Sequence, residues 1–149
     1  MDERLRYIAT LVRRGSRVAD IGTDHGYLGI WLLQQGICRS AVASDINRGP
    51  LERARENGIR YGVADRLKLY LCDGLDGVEP EENGVTDICI CGMGGELIAS
   101  IIDAAPWTRD ARIRLVLQPM SHAEILRAYL LKNGFDLSQK DSAEYLQAM

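Results

Sequence analysis

Leu5, Ile8, Leu11 and Val12 recur at helical spacing and predict a first helix, which Gly15 stops. "RVADIG" (17–22) reads as a short apolar strand ending in an acid and a glycine. "YLGIWLLQQG" (27–36) has the length of a helix and a terminal glycine, and "SAVASDI" (40–46) is a second strand. "GPLERARENGIRYG" (49–62) is an amphipathic helix with Leu51, Ala54 and Ile59 on one side, arginines on the other and Pro50 in its first turn. "LKLYLCDG" (67–74) is a third strand and "GVEPEENGV" (77–85) a polar turn. "TDICICGMGG" (86–95) is a fourth strand running into glycines, followed by the helix "ELIASIIDAA" (96–105), which Pro106 ends. "RIRLVLQP" (112–119) is a fifth strand, "HAEILRAYLLKNG" (122–134) a helix capped by Gly134, and "FDLSQKD" (135–141) the start of a sixth strand.

Strand and helix alternate throughout, the pattern of an α/β domain with a doubly wound, mostly parallel, Rossmann-like sheet and helices on both faces. The strands read as near-continuous apolar runs, as expected where both faces are covered. Ligands in such folds sit outside the carboxyl ends of the strands. Asp20, Gly22, Asp24, Asp45, Asp73, Gly92, Gly94 and Gln118 all fall at or just past such an end.

Length and composition narrow the class. At 149 residues the chain is expected to form one domain, 1–149. The hydrophobic fraction of 46% and charged fraction of 26% are those of a soluble globular protein. No run approaches the ~20 apolar residues of a membrane span, and no secretory leader opens the chain. Cys38, Cys72, Cys89 and Cys91 lack the pairing of a zinc site; they read as reduced thiols, so the expected location is cytoplasmic and no metal is expected. The net charge of -3 does not advertise nucleic-acid binding, although it leaves room for a local basic patch.

The first loop decides the cofactor. A dinucleotide loop needs Gly-x-Gly-x-x-Gly so that backbone can reach a pyrophosphate. Here the run is Asp20-Ile21-Gly22-Thr23-Asp24-His25-Gly26, and Asp24 stands where the middle glycine belongs. A carboxylate facing pyrophosphate is repelled, so NAD is disfavoured. S-adenosyl-L-methionine has no phosphate and carries a sulfonium and an ammonium, which nearby acids favour. The loop's backbone N–H groups would hold its carboxylate. Asp45 is placed to accept from the ribose hydroxyls, Asp73 from the adenine amino group, and backbone at Gly74 and Leu75 to bond the neighbouring ring nitrogen. Taken singly, Asp45 and Asp73 also read as turn formers or caps.

In order along the chain, "VADIGTDHGYL", "ASDINRGPLERA", "CDGL", "ICGMGGELI" and "LVLQP" resemble the TrmK family of bacterial tRNA (adenine-N1)-methyltransferases, from about Leu5 to Phe135. The resemblance implies a class I S-adenosylmethionine-dependent enzyme acting on adenine 22 of certain tRNAs. It implies that Gly22, Asp24 and His25 lie beneath the methionine part of the cofactor. Asp45 and Ile46 match the ribose end, and Asp73 and Gly74 the adenine end. Gly92, Met93, Gly94 and Gly95 match the segment after the fourth strand. The family's C-terminal helical, coiled-coil-like extension is absent from these 149 residues, and a seventh strand is not evident.

Methyl transfer requires the nucleophile about 3–3.5 Å from the methyl group and in line with the breaking bond. Adenine N1 has a free lone pair, so no proton need leave first, but a paired adenine must be flipped out and clasped. His25, Tyr27 and Met93 are the candidate catalytic residues, with Tyr27, Asn57, Gly95 and Gln118 as substrate contacts. The cofactor set comprises Asp20, Gly22, Thr23, Asp24, His25, Gly26, Asp45, Ile46, Asp73, Gly74, Leu75, Gly92, Met93 and Gly94. His25 as a loop former, Tyr27 as core and Met93 as packing are the competing readings. For tRNA the arginines to consider are Arg4, Arg6, Arg13, Arg14, Arg17, Arg109, Arg112 and Arg114, in a monomer or weak dimer. The alternatives are a methyltransferase for a small molecule or protein, or a cofactor-binding domain inactive on its own.

Overall fold

The computed structural model describes residues 3–137 and 146–149. Its helices are α1 (Glu3–Leu11), α2 (Tyr27–Gln34), α3 (Arg48–Arg60), α4 (Pro80–Asn83), α5 (Gly95–Asp103) and α6 (Ala123–Lys132). Its strands are β1 (Ser16–Ile21), β2 (Cys38–Asp45), β3 (Leu67–Leu71), β4 (Asp87–Gly94), β5 (Arg114–Ser121) and β6 (Leu146–Ala148). The strands form one sheet in the order β3-β2-β1-β4-β5-β6. β1 pairs in parallel with both β2 and β4. The chain winds outward from β1 to β3, returns to the centre at β4 and winds the other way. That reversal makes the crevice between β1 and β4 the expected ligand site.

Period-two alternation explains how both faces are filled. Ile88 and Ile90 project to one face, where Ile98 and Ile102 of α5 and Leu126 and Leu130 of α6 cover them. Cys89 projects to the other, against Ile8 of α1 and Leu28 and Leu32 of α2. All four thiols are free. Burial raises the Cys89 thiol well above its ordinary pKa and that of Cys38 to about 11, so both are inert packing groups.

The end of the sheet differs from the sequence reading. The predicted sixth strand spans 135–141, of which 138–141 lie outside the described residues. The strand beside β5 is instead β6, and it runs antiparallel. Leu137 bridges Ala148, and Asp136 and Met149 exchange backbone hydrogen bonds of 2.9 and 3.1 Å. The chain near Leu137 therefore flanks β6 on its outer side. Two further boundaries move: the polar turn contains the short helix α4, and β4 continues through its glycines as far as Gly94.

The arginines divide by position. Arg13 binds Asp87, which is fully buried at the start of β4, with Nη2 3.1 Å from Oδ1. It also donates to the Thr86 and Arg112 carbonyls. Arg17 donates to Ser40, and Arg114 to the Leu11 carbonyl. These three stand at the amino ends of the strands, opposite the crevice, and hold the fold together. They lie away from the crevice, whereas Arg4 lines it. No helix among the described residues is long and apolar enough to cross a membrane.

Candidate active site

The crevice is assembled from the carboxyl ends of β1 to β4. The loop after β1 makes three left-handed turns, at Gly22 (φ 72°), Asp24 (φ 58°) and Gly26 (φ 76°). Glycine is required at two of these for space as well as φ. A Cβ on Gly22 would run into the Met93 methyl, and one on Gly26 would lie 2.8 Å from Ala54 Cβ. Asp24 is a non-glycine residue held in that conformation, which marks a constrained site.

Ser44 ties the loops together. Its carbonyl accepts the N–H groups of Gly22 and Thr23 at 2.9 and 3.1 Å. Its hydroxyl donates to the Gly74 carbonyl at 3.0 Å. The Gly26 N–H goes to the Thr23 carbonyl. The expectation that this loop's backbone holds a ligand carboxylate is thus corrected at three positions, where protein carbonyls already take the donors. Ser44 was not singled out from sequence; its only signal is a small polar residue inside the apolar run before Asp45.

Asp20 is buried, and Thr23 Oγ1 donates to its Oδ2 at 3.0 Å. Burial raises the Asp20 carboxyl from 3.8 to about 6, the Thr23 bond opposes the shift, and the charge of Asp45 adds to it. His25 Nε2 lies 3.6 Å from Asp24 Oδ1, and its ring centroid is 5.2 Å from that of Tyr27. Asn57 reaches across from α3, its Nδ2 donating to the His25 carbonyl at 2.9 Å. It therefore shapes the loop rather than facing a substrate. Tyr27 is 46% exposed, so its reading as core is excluded.

Asp45 ends β2, and its Oδ1 accepts the Asn47 N–H at 2.9 Å, a local turn bond. Ile46 beside it is 65% exposed. Asp73 and Gly74 follow β3, with Asp73 exposed. Leu75 turns its side chain into the core. The three acids thus stand at the ends of three adjacent strands.

On the far wall, β4 is irregular between Cys91 and Gly94 where it pairs with β5. Gly92 bulges there with φ 76° and donates to Gln118 Oε1 at 3.0 Å. Gln118 so fixes the glycine segment, and its expected role as a direct substrate contact gives way to this one. Gly95 is buried, and a Cβ on it would meet the His122 carbonyl, so it is a packing position rather than a substrate contact. Met93 is half-buried against the core with its methyl over Gly22.

α1 brings in a residue that sequence had placed only among possible tRNA contacts. Arg4 Nη1 donates to Gln118 Oε1 at 3.1 Å. Arg4, Asp20, Gly22, Thr23, Asp24, His25, Tyr27 and Cys91 line a cavity of ≈ 70 Å³. Burial holds the Cys91 thiol far above its ordinary range, with Asp20 adding to the shift and Arg4 opposing it. Cys91 thus feels the acid and the base together.

A family model described as a methyltransferase domain matches residues 1–146. The chain belongs to that methyltransferase family. The tRNA (adenine(22)-N(1))-methyltransferase of Bacillus subtilis is 33% identical over 137 residues, covering 92% of this chain and 57% of the relative. A Streptococcus pneumoniae protein solved in complex with S-adenosyl-L-methionine is 32% identical with a TM-score of 0.86, covering 99% of this chain and 71% of that one. TrmK of M. capricolum, solved with S-adenosyl-homocysteine, is 27% identical with a TM-score of 0.82, covering 99% and 67%. The motif resemblance to the TrmK family is borne out by these methyltransferases. The chain spans less than two thirds of the B. subtilis relative's length.

Proposed function

We propose that this methyltransferase domain binds S-adenosyl-L-methionine and methylates N1 of an adenine in tRNA. The observation that carries the reading is the row of acids at the ends of β1, β2 and β3, bent around a loop whose Asp24 occupies a left-handed turn. Such a crevice repels phosphate and suits a cationic ligand with hydroxyl and amino donors. When bound, the cofactor supplies an electrophilic methyl group on sulfur.

The residues then have distinct tasks. Asp45 accepts from ribose hydroxyls through the oxygen its turn leaves over, and Asp73 accepts at the adenine end. Asp20, Thr23 and Gly22 shape the floor beneath the methionyl part. Tyr27 and His25, their rings tilted against each other at 39°, clasp the flipped target base and exclude water from it. Adenine N1 has a free lone pair to offer such a methyl group, so none of the chain's residues need act as a general base. The methylated ring is cationic, and Asp24 at the rim favours it electrostatically.

A tRNA substrate implies a cytoplasmic location, which four free thiols support. The test is transfer of labelled methyl from S-adenosyl-L-methionine to bulk tRNA by the 149-residue chain, followed by nucleoside analysis. Label in 1-methyladenosine is expected. Label confined to another nucleoside, or to protein, would overturn the reading.

A further inference from the structure

A second cavity lies at the amino ends of β1, β2 and β3, away from the crevice. It measures ≈ 370 Å³, and Arg17, Ser40, Asp65, Arg66, Lys68 and Glu82 are among its lining residues. Its cations differ in what engages them. Lys68 is taken by Glu82, with Nζ 2.8 Å from Oε1. The Arg17 guanidinium donates only to the Ser40 hydroxyl, at 3.4 Å. Arg66 acts on Cys38, but burial keeps that thiol protonated, so it supplies no anion. Among the described residues neither guanidinium has a carboxylate within ion-pair distance. Arg17 is also held in place. Its stem packs over Gly84, where a Cβ would lie 2.9 Å from Arg17 Cδ. Gly84 ends α4 in a left-handed turn with φ 60°.

Like charges gathered in one cleft repel, and an anion between them relieves that repulsion. Arg17, Arg66 and Lys68 against Asp65 and Glu82 leave one positive charge, the match for the single negative charge of a phosphodiester. The planar fork of arginine suits phosphate oxygens. Position selects the source of the phosphate. β3 is an edge strand, with Arg66 and Lys68 at its start and Asp73 just past its end in the crevice. Its five residues span roughly 17 Å. A polymer whose target base enters the crevice can lay its backbone along this edge and reach the cleft, whereas a free nucleotide is too short to engage both. We infer that the cleft holds a backbone phosphodiester of the tRNA, remote from the methylated base, with Arg17 and Arg66 as its contacts. Asp65 opposes that hold and keeps it weak. The inference rests on the tRNA reading above.

Binding of tRNA to the 149-residue chain, titrated over a range of salt, tests it. Arg17→Gln and Arg66→Gln are each expected to weaken binding roughly 3- to 10-fold and to lower the salt slope by about 1. Asp65→Asn removes the opposing carboxylate and should tighten binding instead. Asp65 and Arg66 are exposed, so their variants leave the core intact. Arg66→Lys keeps the charge and should keep the slope. Affinity for S-adenosyl-L-methionine should stay unchanged in all of these, because the cleft lies at the other end of the strands. Arg112→Gln loses the same charge at a residue paired with Asp110, and it should leave the slope as it is. Equal weakening by Arg112→Gln would reduce the effect to net charge and overturn the site. Unaltered tRNA binding in Arg17→Gln, Arg66→Gln and Asp65→Asn would overturn it too. Full competition by inorganic phosphate at constant ionic strength would give the cleft to the free ion and also sink the inference. If wild type binds no tRNA, the tRNA reading itself falls and takes this one with it.

Discussion

Thr23 Oγ1 donates a 3.0 Å hydrogen bond to Asp20 Oδ2, and both residues are buried where β1 runs into its following loop. That one bond does not offset the burial. The Asp20 carboxyl therefore releases its proton near pH 6 in the folded chain, against 3.8 ordinarily. The unfolded chain loses this proton first, so between these values the folded state holds more protons. The associated stabilisation is fully present below 3.8 and is lost as pH rises through about 6. The linked free energy is on the order of 3 kcal/mol. Asp20→Asn fixes the neutral form. Urea unfolding of wild type and variant from pH 4 to 7 is expected to show wild type losing stability relative to Asp20→Asn across this range. Parallel curves would remove Asp20 as the source.

Gly22 and Met93 form the contact between the two walls of the crevice. A side chain at Gly22 faces two penalties, its φ of 72° and a collision with the Met93 methyl. Gly22→Ala is expected to destabilise by about 1–2 kcal/mol from backbone conformation, plus the collision. Met93→Ala in the same chain should recover the collision and leave the backbone part. Denaturant midpoints of the two single variants and the double variant check this. Strict additivity would show that Met93 swings clear at no cost.

Arg13 and Asp87 bear on how RNA would be held. Asp87 is fully buried at the opposite end of the sheet, so losing the Arg13 guanidinium leaves its carboxylate without a cation, held only by the Arg13 N–H and the Thr86 hydroxyl. Arg13→Ala is expected to cost about 3 kcal/mol in stability. The salt dependence of tRNA binding, measured where the variant is folded, should not change slope, because Arg13 neutralises no phosphate. A shallower slope would place Arg13 on the RNA.

What could be read in the sequence followed from local rules. Apolar runs of strand length, acids at their ends and glycines after the first and fourth strands gave the sheet and the outline of the crevice. Interactions between distant positions were not legible. Arg4 meets Gln118 across 114 positions, and Arg13 meets Asp87 across 74. Nothing near Arg4 marks it as different from Arg13 or Arg14, since only the path of α1 separates their destinations. Ser44 acts through its backbone carbonyl, which no residue type advertises. β6 is three residues long and antiparallel, too short for periodicity to reveal.

Tyr27 is half-exposed beside His25 at the mouth of the pocket, where a flipped base would stack. Tyr27→Ala is expected to lower methyl transfer to tRNA at least 10-fold while cofactor affinity changes less than about 3-fold, the stacking range for one base. Tyr27→Phe should keep most of the activity, because the ring rather than the hydroxyl makes the contact. If the cofactor affinity of Tyr27→Ala falls in step with its activity, the ring caps the methionyl pocket instead.

Asp45 separates a turn-forming role from a binding role within one side chain. Its Oδ1 already accepts the Asn47 N–H, so the residue would be needed for the turn even without a ligand. The proposed ribose contact uses the remaining carboxylate oxygen. Asn at this position keeps one acceptor for the turn but presents an NH2 group where the second oxygen stood, and an NH2 group cannot accept from a hydroxyl. Asp45→Asn should therefore fold as wild type yet bind S-adenosyl-L-methionine at least 10-fold more weakly by calorimetry. Asp45→Ala should lose both the turn and the affinity. Because the lost partners are hydroxyls, a ribose-deoxygenated cofactor analogue should bind wild type and Asp45→Asn with nearly equal affinity. Wild-type affinity in Asp45→Asn would leave Asp45 as a turn former and move the ribose site elsewhere along the ends of β1 and β2.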